Sequence, residues 1–296
     1  MDYQFLNGTG VALITPFQSN GNVDFSSLAK IIQHCISGGV EYLVTMGTTG
    51  EAATLSLQER MEIIRFTVKE SGGRIPVVAG IGGNNTAELC KEMDQLDHEG
   101  IAAILSSSPA YNKPSQEGIF QHYMKLLEHS PLPIIIYNVP GRTDSNILPE
   151  TTLRLAHASP RFIAIKEASG DLAQATKILK DKPSNFLVLS GDDPLALALI
   201  GIGGHGVISV MANALPQEFS QMIRFALQGN FTEAAGLNLK IFDLHKWLYV
   251  EGNPVGIKLA ASYLGLCENH FRLPLVPMSE INAQKLKIEL GKIIPL

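Results

Sequence analysis

Short runs of apolar, mostly β-branched residues alternate with longer amphipathic stretches along most of this 296-residue chain. The runs are apolar throughout, as expected for strands that are buried on both faces of a parallel sheet, and the stretches between them have helical periodicity. Eight strands are predicted, at residues 11–15, 42–46, 76–79, 101–105, 134–137, 162–165, 186–189 and 207–210. Eight strand–helix units predict an α/β protein of the (β/α)8 TIM barrel type, because open doubly wound sheets usually have fewer strands.

The helical pattern has recognisable boundaries. Ser56 and Glu59 have the spacing of a capping box and predict that a helix begins at Leu57. From about residue 230 the strand pattern ends, and residues 231–249, 254–264 and 279–290 are predicted helices. We therefore expect a barrel carrying the active site over residues 1–229 and a C-terminal helical extension over residues 230–296, packed on the barrel.

Composition narrows the possible partners. The formal net charge is −5, and no cluster of Lys and Arg indicates nucleic acid or an anionic membrane surface. No apolar run approaches the roughly 18 residues of a membrane helix, and no leader pattern is present. Cys35, Cys90 and Cys267 are odd in number and far apart, so neither a disulfide framework nor a cysteine metal site is expected. These features predict a cytoplasmic protein that acts on small molecules without a metal.

Barrel active sites lie at the carboxyl ends of the strands. The second predicted strand leads into Gly47-Thr48-Thr49-Gly50-Glu51, whose hydroxyls and free N–H groups suit a carboxylate, although a plain turn is the alternative. The sixth predicted strand is followed by Lys166. Because burial favours the neutral amine, this lysine is a candidate nucleophile that forms a Schiff base with a ketone. The alternative is a solvated lysine paired with Glu167.

The fourth and fifth strands supply further candidates. Tyr137 suits proton transfer and Arg142 suits bidentate binding of a carboxylate, against the alternatives of a half-buried tyrosine and a surface arginine. Tyr111 lies in the loop after the fourth strand, where packing against a neighbour is the alternative. The Gly-x-Gly-x-x-Gly pattern at 201–206 precedes a predicted strand, so we do not expect a nicotinamide site there, and His205 is expected to be structural.

Four motifs at predicted strand ends carry a resemblance to a known family: Gly47-Thr48-Thr49-Gly50-Glu51, Tyr137-Asn138-Val139-Pro140-Gly141-Arg142-Thr143, Ile165-Lys166-Glu167 and Ser190-Gly191-Asp192-Asp193. With them, from about Gly10 to the C-terminal helices, the chain resembles the dihydrodipicolinate synthase family of class I aldolase barrels. The resemblance implies that pyruvate forms a Schiff base on Lys166. The derived enamine would attack L-aspartate 4-semialdehyde to give 4-hydroxy-tetrahydrodipicolinate, on the diaminopimelate route to lysine. It implies no cofactor and a homotetramer of tight dimers.

The resemblance also assigns catalytic roles. Thr48, Tyr137 and Tyr111 would form a proton relay around the Schiff base on Lys166. Tyr111 would reach the active site of the neighbouring subunit.

Substrate-binding roles follow from the same resemblance. Thr49 would hold the pyruvate carboxylate, mainly through its backbone, and Ile208 and Gly191 would line the pocket. Arg142 would bind the carboxylate of the semialdehyde. Sister aldolases of N-acetylneuraminate or 2-keto-3-deoxy sugar acids lack the Gly-Arg-Thr of residues 141–143 and remain an alternative. A non-catalytic barrel that binds a keto acid is a remote one, because a binder has no need of a buried amine.

Some residues depart from the family pattern. Ala110 and Leu57 replace a tyrosine and a histidine of lysine-inhibited members and argue against inhibition by lysine, although Asn84 and Glu88 are retained. Asp144 replaces the glycine usual after Arg-Thr, where its carboxylate would either compete for the Arg142 guanidinium or orient it.

Overall fold

Eight parallel strands close into a barrel in the computed structural model, which describes residues 3–296. Each strand pairs with the next, and the last pairs with the first. The strands are β1 (Gly8–Ala12), β2 (Tyr42–Thr45), β3 (Val77–Gly80), β4 (Ile101–Ser107), β5 (Ile134–Asn138), β6 (Phe162–Glu167), β7 (Leu187–Ser190) and β8 (Gly206–Ser209). The predicted TIM barrel is confirmed.

Helices surround the barrel. They are α1 (Phe25–Ser37), α2 (Leu57–Ser71), α3 (Thr86–Asp94), α4 (Gln116–His129), α5 (Pro140–Thr143), α6 (Pro149–Ala158), α7 (Leu172–Asp181), α8 (Ala196–Gly201) and α9 (Pro216–Leu227). The predicted start of α2 is confirmed. The Glu59 N–H donates to the Ser56 hydroxyl at 3.2 Å, and the Ser56 N–H donates to the Glu59 carboxylate at 2.9 Å.

The first strand begins earlier than predicted. It covers Gly8–Ala12 and ends where the prediction of 11–15 had barely begun. Glycine is depleted in strands, so an apolar pattern does not find this segment. Close packing requires the glycines here: a Cβ on Gly10 would overlap the Tyr42 ring, and a Cβ on Gly206 in β8 would overlap the carbonyl oxygen of Gly8.

Apolar side chains fill both faces of the strands. Tyr42, Val44, Ile135, Ile163 and Ile208 belong to a buried cluster inside the barrel. A second and larger cluster lies between the strands and the helices. This two-sided burial explains why the strands are apolar throughout instead of alternating with polar residues.

Three helices follow the barrel: α10 (Phe231–Tyr249), α11 (Val255–Tyr263) and α12 (Glu280–Gly291). Their bounds agree with the prediction to within one residue at each end. α10 packs against α9, and α11 and α12 pack against α10 and each other. A division of the chain at residue 229 stays a prediction. Within residues 3–296, no helix is both long and apolar enough to cross a membrane.

Candidate active site

Lys166 lies at the carboxyl end of β6 with its side chain inside the barrel. It is only 5% exposed. In the strand register its Cα is opposite Tyr137 of β5 on one side and Leu189 of β7 on the other. The side-chain nitrogen Nζ is 4.4 Å from the centroid of the Tyr137 ring. The structure therefore brings the predicted nucleophile and the predicted proton-transfer residue together.

Glu167 is turned to the outer face of the barrel, because successive residues of a strand point to opposite sides. Its carboxylate accepts hydrogen bonds from Asn138 Nδ2 at 3.0 Å, Gln174 Nε2 at 3.1 Å and the Ser169 N–H at 2.7 Å. The alternative that Lys166 is paired with Glu167 is therefore wrong.

A cavity of about 420 Å³ opens at the carboxyl ends of β2 to β5. Three of the predicted residues, Thr48, Tyr137 and Arg142, line it together with Asn253 and Ser107. Tyr137 is buried, whereas Thr48 and Arg142 are exposed. The cavity is large enough for two small carboxylic acids.

Thr49 connects this cavity to the C-terminal part of the chain. It lies in a three-residue 3-10 turn, Thr48–Gly50, and is 2% exposed. Asn253 Nδ2 donates to the Thr49 hydroxyl at 3.0 Å, and the Asn253 carbonyl accepts from Arg142 Nη2 at 3.3 Å. No role was predicted for Asn253, because only the fold brings it next to residues more than a hundred positions away.

Gly191 and Ile208, the two predicted pocket residues, lie at the last two strands of the barrel, and the structure brings Gly191 against the lysine side chain. Ile208 is on β8 in the apolar cluster inside the barrel and is 1% exposed. Gly191 follows β7, and a Cβ there would be 3.1 Å from Lys166 Cγ and 2.6 Å from Ala168 Cβ. A glycine is therefore needed for the stem of Lys166 to pack in this position.

A buried carboxylate near the lysine was not predicted as a site residue. Asp193 is 2% exposed and accepts from the Val210 and Met211 N–H groups at 3.0 and 2.8 Å. Burial raises its pKa above the ordinary value, and the charge of Lys166 is among the effects that oppose this rise. The doubled aspartate at a strand end was the signal that could have indicated it.

Tyr111 does not line the cavity of its own chain. It is 90% exposed, has a φ of 67° and donates its N–H to the Thr143 carbonyl at 3.3 Å. Asp144 forms an ion pair with Lys113 in the Tyr111 loop, and not with Arg142. Asp144 thus neither competes for the arginine nor orients it by direct contact.

The glycine segment at 201–206 leads into β8, as predicted, and so lacks the strand–loop–helix context of a dinucleotide site. The Val188 N–H donates to His205 Nδ1 at 3.1 Å, which supports a structural role for this histidine.

Comparisons with known proteins identify the family of this chain. The model of the Dihydrodipicolinate synthetase family matches residues 6–293. The 4-hydroxy-tetrahydrodipicolinate synthase of Flavobacterium psychrophilum is 50% identical over 281 residues, covering 95% of this chain and 96% of that protein. Dihydrodipicolinate synthase from Aquifex aeolicus has a TM-score of 0.94 at 40% identity over 97% of both chains. The chloride-inhibited enzyme from Acinetobacter baumannii, complexed with pyruvate, has a TM-score of 0.94 at 38% identity over 97% of this chain and 99% of that one. The chain therefore belongs to the dihydrodipicolinate synthetase family, a family of lyases.

Proposed function

We propose that this lyase condenses pyruvate, bound as a Schiff base on Lys166, with L-aspartate 4-semialdehyde to give 4-hydroxy-tetrahydrodipicolinate. The observation that carries the proposal is the buried amine of Lys166, held inside the barrel against the Tyr137 ring. The names of the relatives support it: the Flavobacterium protein is a 4-hydroxy-tetrahydrodipicolinate synthase, and the Acinetobacter enzyme is described as complexed with pyruvate.

The proposed chemistry uses side chains alone. Lys166 Nζ attacks the ketone carbon of pyruvate, and loss of water gives an iminium ion. The iminium accepts the electron pair when a proton leaves the pyruvate methyl group, so the route needs neither a metal nor an organic cofactor. The resulting enamine attacks the aldehyde carbon of the second substrate, whose oxygen becomes a hydroxyl group. The amino group of that substrate then adds to the iminium carbon and displaces Lys166 Nζ, which closes the ring and frees the lysine. Tyr137 and Thr48 are proposed to move the protons of these steps, since both line the cavity and the Tyr137 ring also lies against Lys166 Nζ.

Each substrate carboxylate has a proposed binding group. The turn that contains Thr49 would hold the pyruvate carboxylate through N–H and hydroxyl donors, with Ile208 and Gly191 lining the pocket. Arg142 would hold the carboxylate of the semialdehyde at the cavity mouth. Within residues 3–296, its guanidinium donates one hydrogen bond, to the Asn253 carbonyl, and further N–H donors of the guanidinium suit a bidentate contact.

A second copy of the chain is proposed to complete the site. The exposed ring of Tyr111 would enter the cavity of a neighbouring subunit in a tight dimer, two of which form a homotetramer. Mixing two inactive variants tests this. Dimers of Lys166→Ala with Tyr111→Phe contain one site with both native residues, so mixing is expected to restore activity. If Tyr111 acts in its own subunit, the mixture stays inactive.

The activity is tested with purified protein and pyruvate. We expect pyruvate consumption only when L-aspartate 4-semialdehyde is present, and a pyruvate adduct that borohydride traps on the protein. Lys166→Ala should fold but lose the adduct, while the control Lys177→Ala, an exposed lysine on α7, should keep it. An adduct that survives in Lys166→Ala overturns the proposal. Folded protein that forms the adduct but consumes no pyruvate when the semialdehyde is added would favour a sugar-acid aldolase, in which Arg142→Ala should have little effect.

A cytoplasmic location belongs to the same proposal. Cys35, Cys90 and Cys267 are buried, free thiols. Such thiols are the usual state of cysteine in a reducing compartment.

A further inference from the structure

A fully buried ion pair lies beside the candidate site, between the turn after β2 and helix α11. The ammonium group of Lys258 donates to Glu51 Oε1, and the two side chains are 0% and 1% exposed. Lys258 Nζ also donates to the His270 carbonyl at 3.0 Å and lies 4.4 Å from the centroid of the Phe17 ring. The proposed reaction assigns no role to either residue.

The acidic member of the pair, Glu51, lies next to the turn that contains Thr48 and Thr49. Glu51 directly follows Thr48–Gly50, has a φ of 53° and donates its N–H to the Thr48 carbonyl at 3.1 Å. A left-handed backbone is strained for a residue with a side chain and persists where surrounding contacts impose it. The ion pair with Lys258 is such a contact. The conformation of the turn and the placement of Glu51 are therefore coupled.

The basic member of the pair, Lys258, is on the helix that follows Asn253. Lys258 is in the first turns of α11, and its N–H donates to the Pro254 carbonyl at 3.0 Å. Asn253 precedes that proline and donates to the Thr49 hydroxyl at 3.0 Å. The segment 253–258 thus contacts the threonine turn and the residue after it at two points. Asn253 forms a hydrogen bond with Thr49, and Lys258 forms a salt bridge with Glu51.

Buried ion pairs are weak evidence for stability, because removing two charges from water offsets much of their attraction. Their better-supported use is to specify one geometry, since a misaligned partner leaves a charge buried and unpaired. Here the geometry in question is that of donors proposed to face a carboxylate, where small displacements weaken binding strongly.

We infer that Glu51 and Lys258 are positioning residues, whose buried ion pair fixes the Thr48–Thr49 turn in the conformation that binds the pyruvate carboxylate. This inference rests on the proposed function. Neither residue needs to touch the substrate, because both act through the turn. Loss of the pair should therefore weaken pyruvate binding more than it changes turnover, and should leave binding of the second substrate unaffected.

Steady-state kinetics of a paired substitution test this. Glu51→Met combined with Lys258→Met removes both charges while nearly preserving volume, so that no charge is left unpaired. We expect the KM for pyruvate to rise about tenfold with kcat and the KM for semialdehyde nearly unchanged, the signature of lost ground-state binding. The matched control removes the Glu41–Arg224 pair at the opposite end of the barrel, by Glu41→Met with Arg224→Met, and should keep the wild-type KM.

The milder variant Glu51→Gln keeps an acceptor for Lys258 and should raise the pyruvate KM by a smaller factor, about threefold. If circular dichroism shows that the double variant does not fold, the pyruvate KM of Glu51→Gln tests the inference in its place. A wild-type pyruvate KM in a folded variant would overturn the inference. Wild-type protein without a trappable adduct or semialdehyde-dependent consumption would instead overturn the proposed function.

Discussion

Replacing Gly191 with alanine would place a methyl group in space that the reactive lysine and its neighbour already occupy. The new Cβ would be 2.6 Å from Ala168 Cβ and 3.1 Å from Lys166 Cγ. Carbon atoms in contact are normally about 3.5–4.0 Å apart, so the first distance is short by about 1 Å. Ala168 has no rotatable side chain, and its N–H donates to the Asn138 carbonyl at 2.9 Å. Displacing Lys166 relieves only the second overlap, so the backbone at Ala168 or at residue 191 must also shift, and a shift at Ala168 moves the end of β6 that carries Lys166.

We expect Gly191→Ala to slow formation of the pyruvate adduct by about a hundredfold, because relief of both overlaps moves the amine of Lys166, and misplacing a reacting group by about 1 Å costs roughly that factor. Overpacking should also lower the free energy of unfolding by about 1–3 kcal/mol. The rate is measured by borohydride trapping over time, and the stability by urea denaturation. Gly236→Ala is the matched control, because Gly236 lies within α10 and a Cβ there meets no atom within 4 Å. A wild-type trapping rate in Gly191→Ala would refute this reasoning.

Three further predictions concern stability. Asn138→Ala removes a donor to the buried Glu167 carboxylate and should lower the free energy of unfolding by about 3 kcal/mol in urea titrations; a loss below about 1 kcal/mol would contradict this. Burial lowers the pKa of His245 to about 4, so the unfolded chain binds more protons below about pH 6.5, and stability should fall by about 3 kcal/mol towards pH 4. Unfolding of His245→Leu across that range should lack this component, and an unchanged pH dependence would refute it. Ser56→Ala breaks the capping box with Glu59 and should cost about 1 kcal/mol in thermal denaturation, whereas an unchanged midpoint would argue against the cap.

Much of the fold could be predicted because each strand is buried on two faces, which makes its apolar run continuous and easy to find. The exception was β1, where Gly8 and Gly10 replace the apolar residues that the pattern requires. Close approach of Tyr42 explains the glycine at position 10, but that contact exists only after the barrel has closed. The positions of Thr48, Tyr137 and Lys166 at strand ends could be predicted for the same reason as the strands.

Contacts between distant segments could not be predicted in this way. Asn253 meets Thr49 and Arg142, and Lys258 meets Glu51, only because α11 packs beside the turn after β2. Local pattern carries no information about which loops become neighbours at the barrel mouth.

The sequence by itself determined the eight strand–helix units, the helical C-terminus and the candidate residues at the strand ends, because these depend on local periodicity and on motif order. The tertiary structure decided which way each side chain points and what it meets. Strand register turns Lys166 into the barrel and Glu167 away from it, although the two are adjacent in the chain. Barrel closure brings Gly191 against the stem of Lys166. Those relations follow from packing among segments far apart in sequence, which is why only the folded chain shows them.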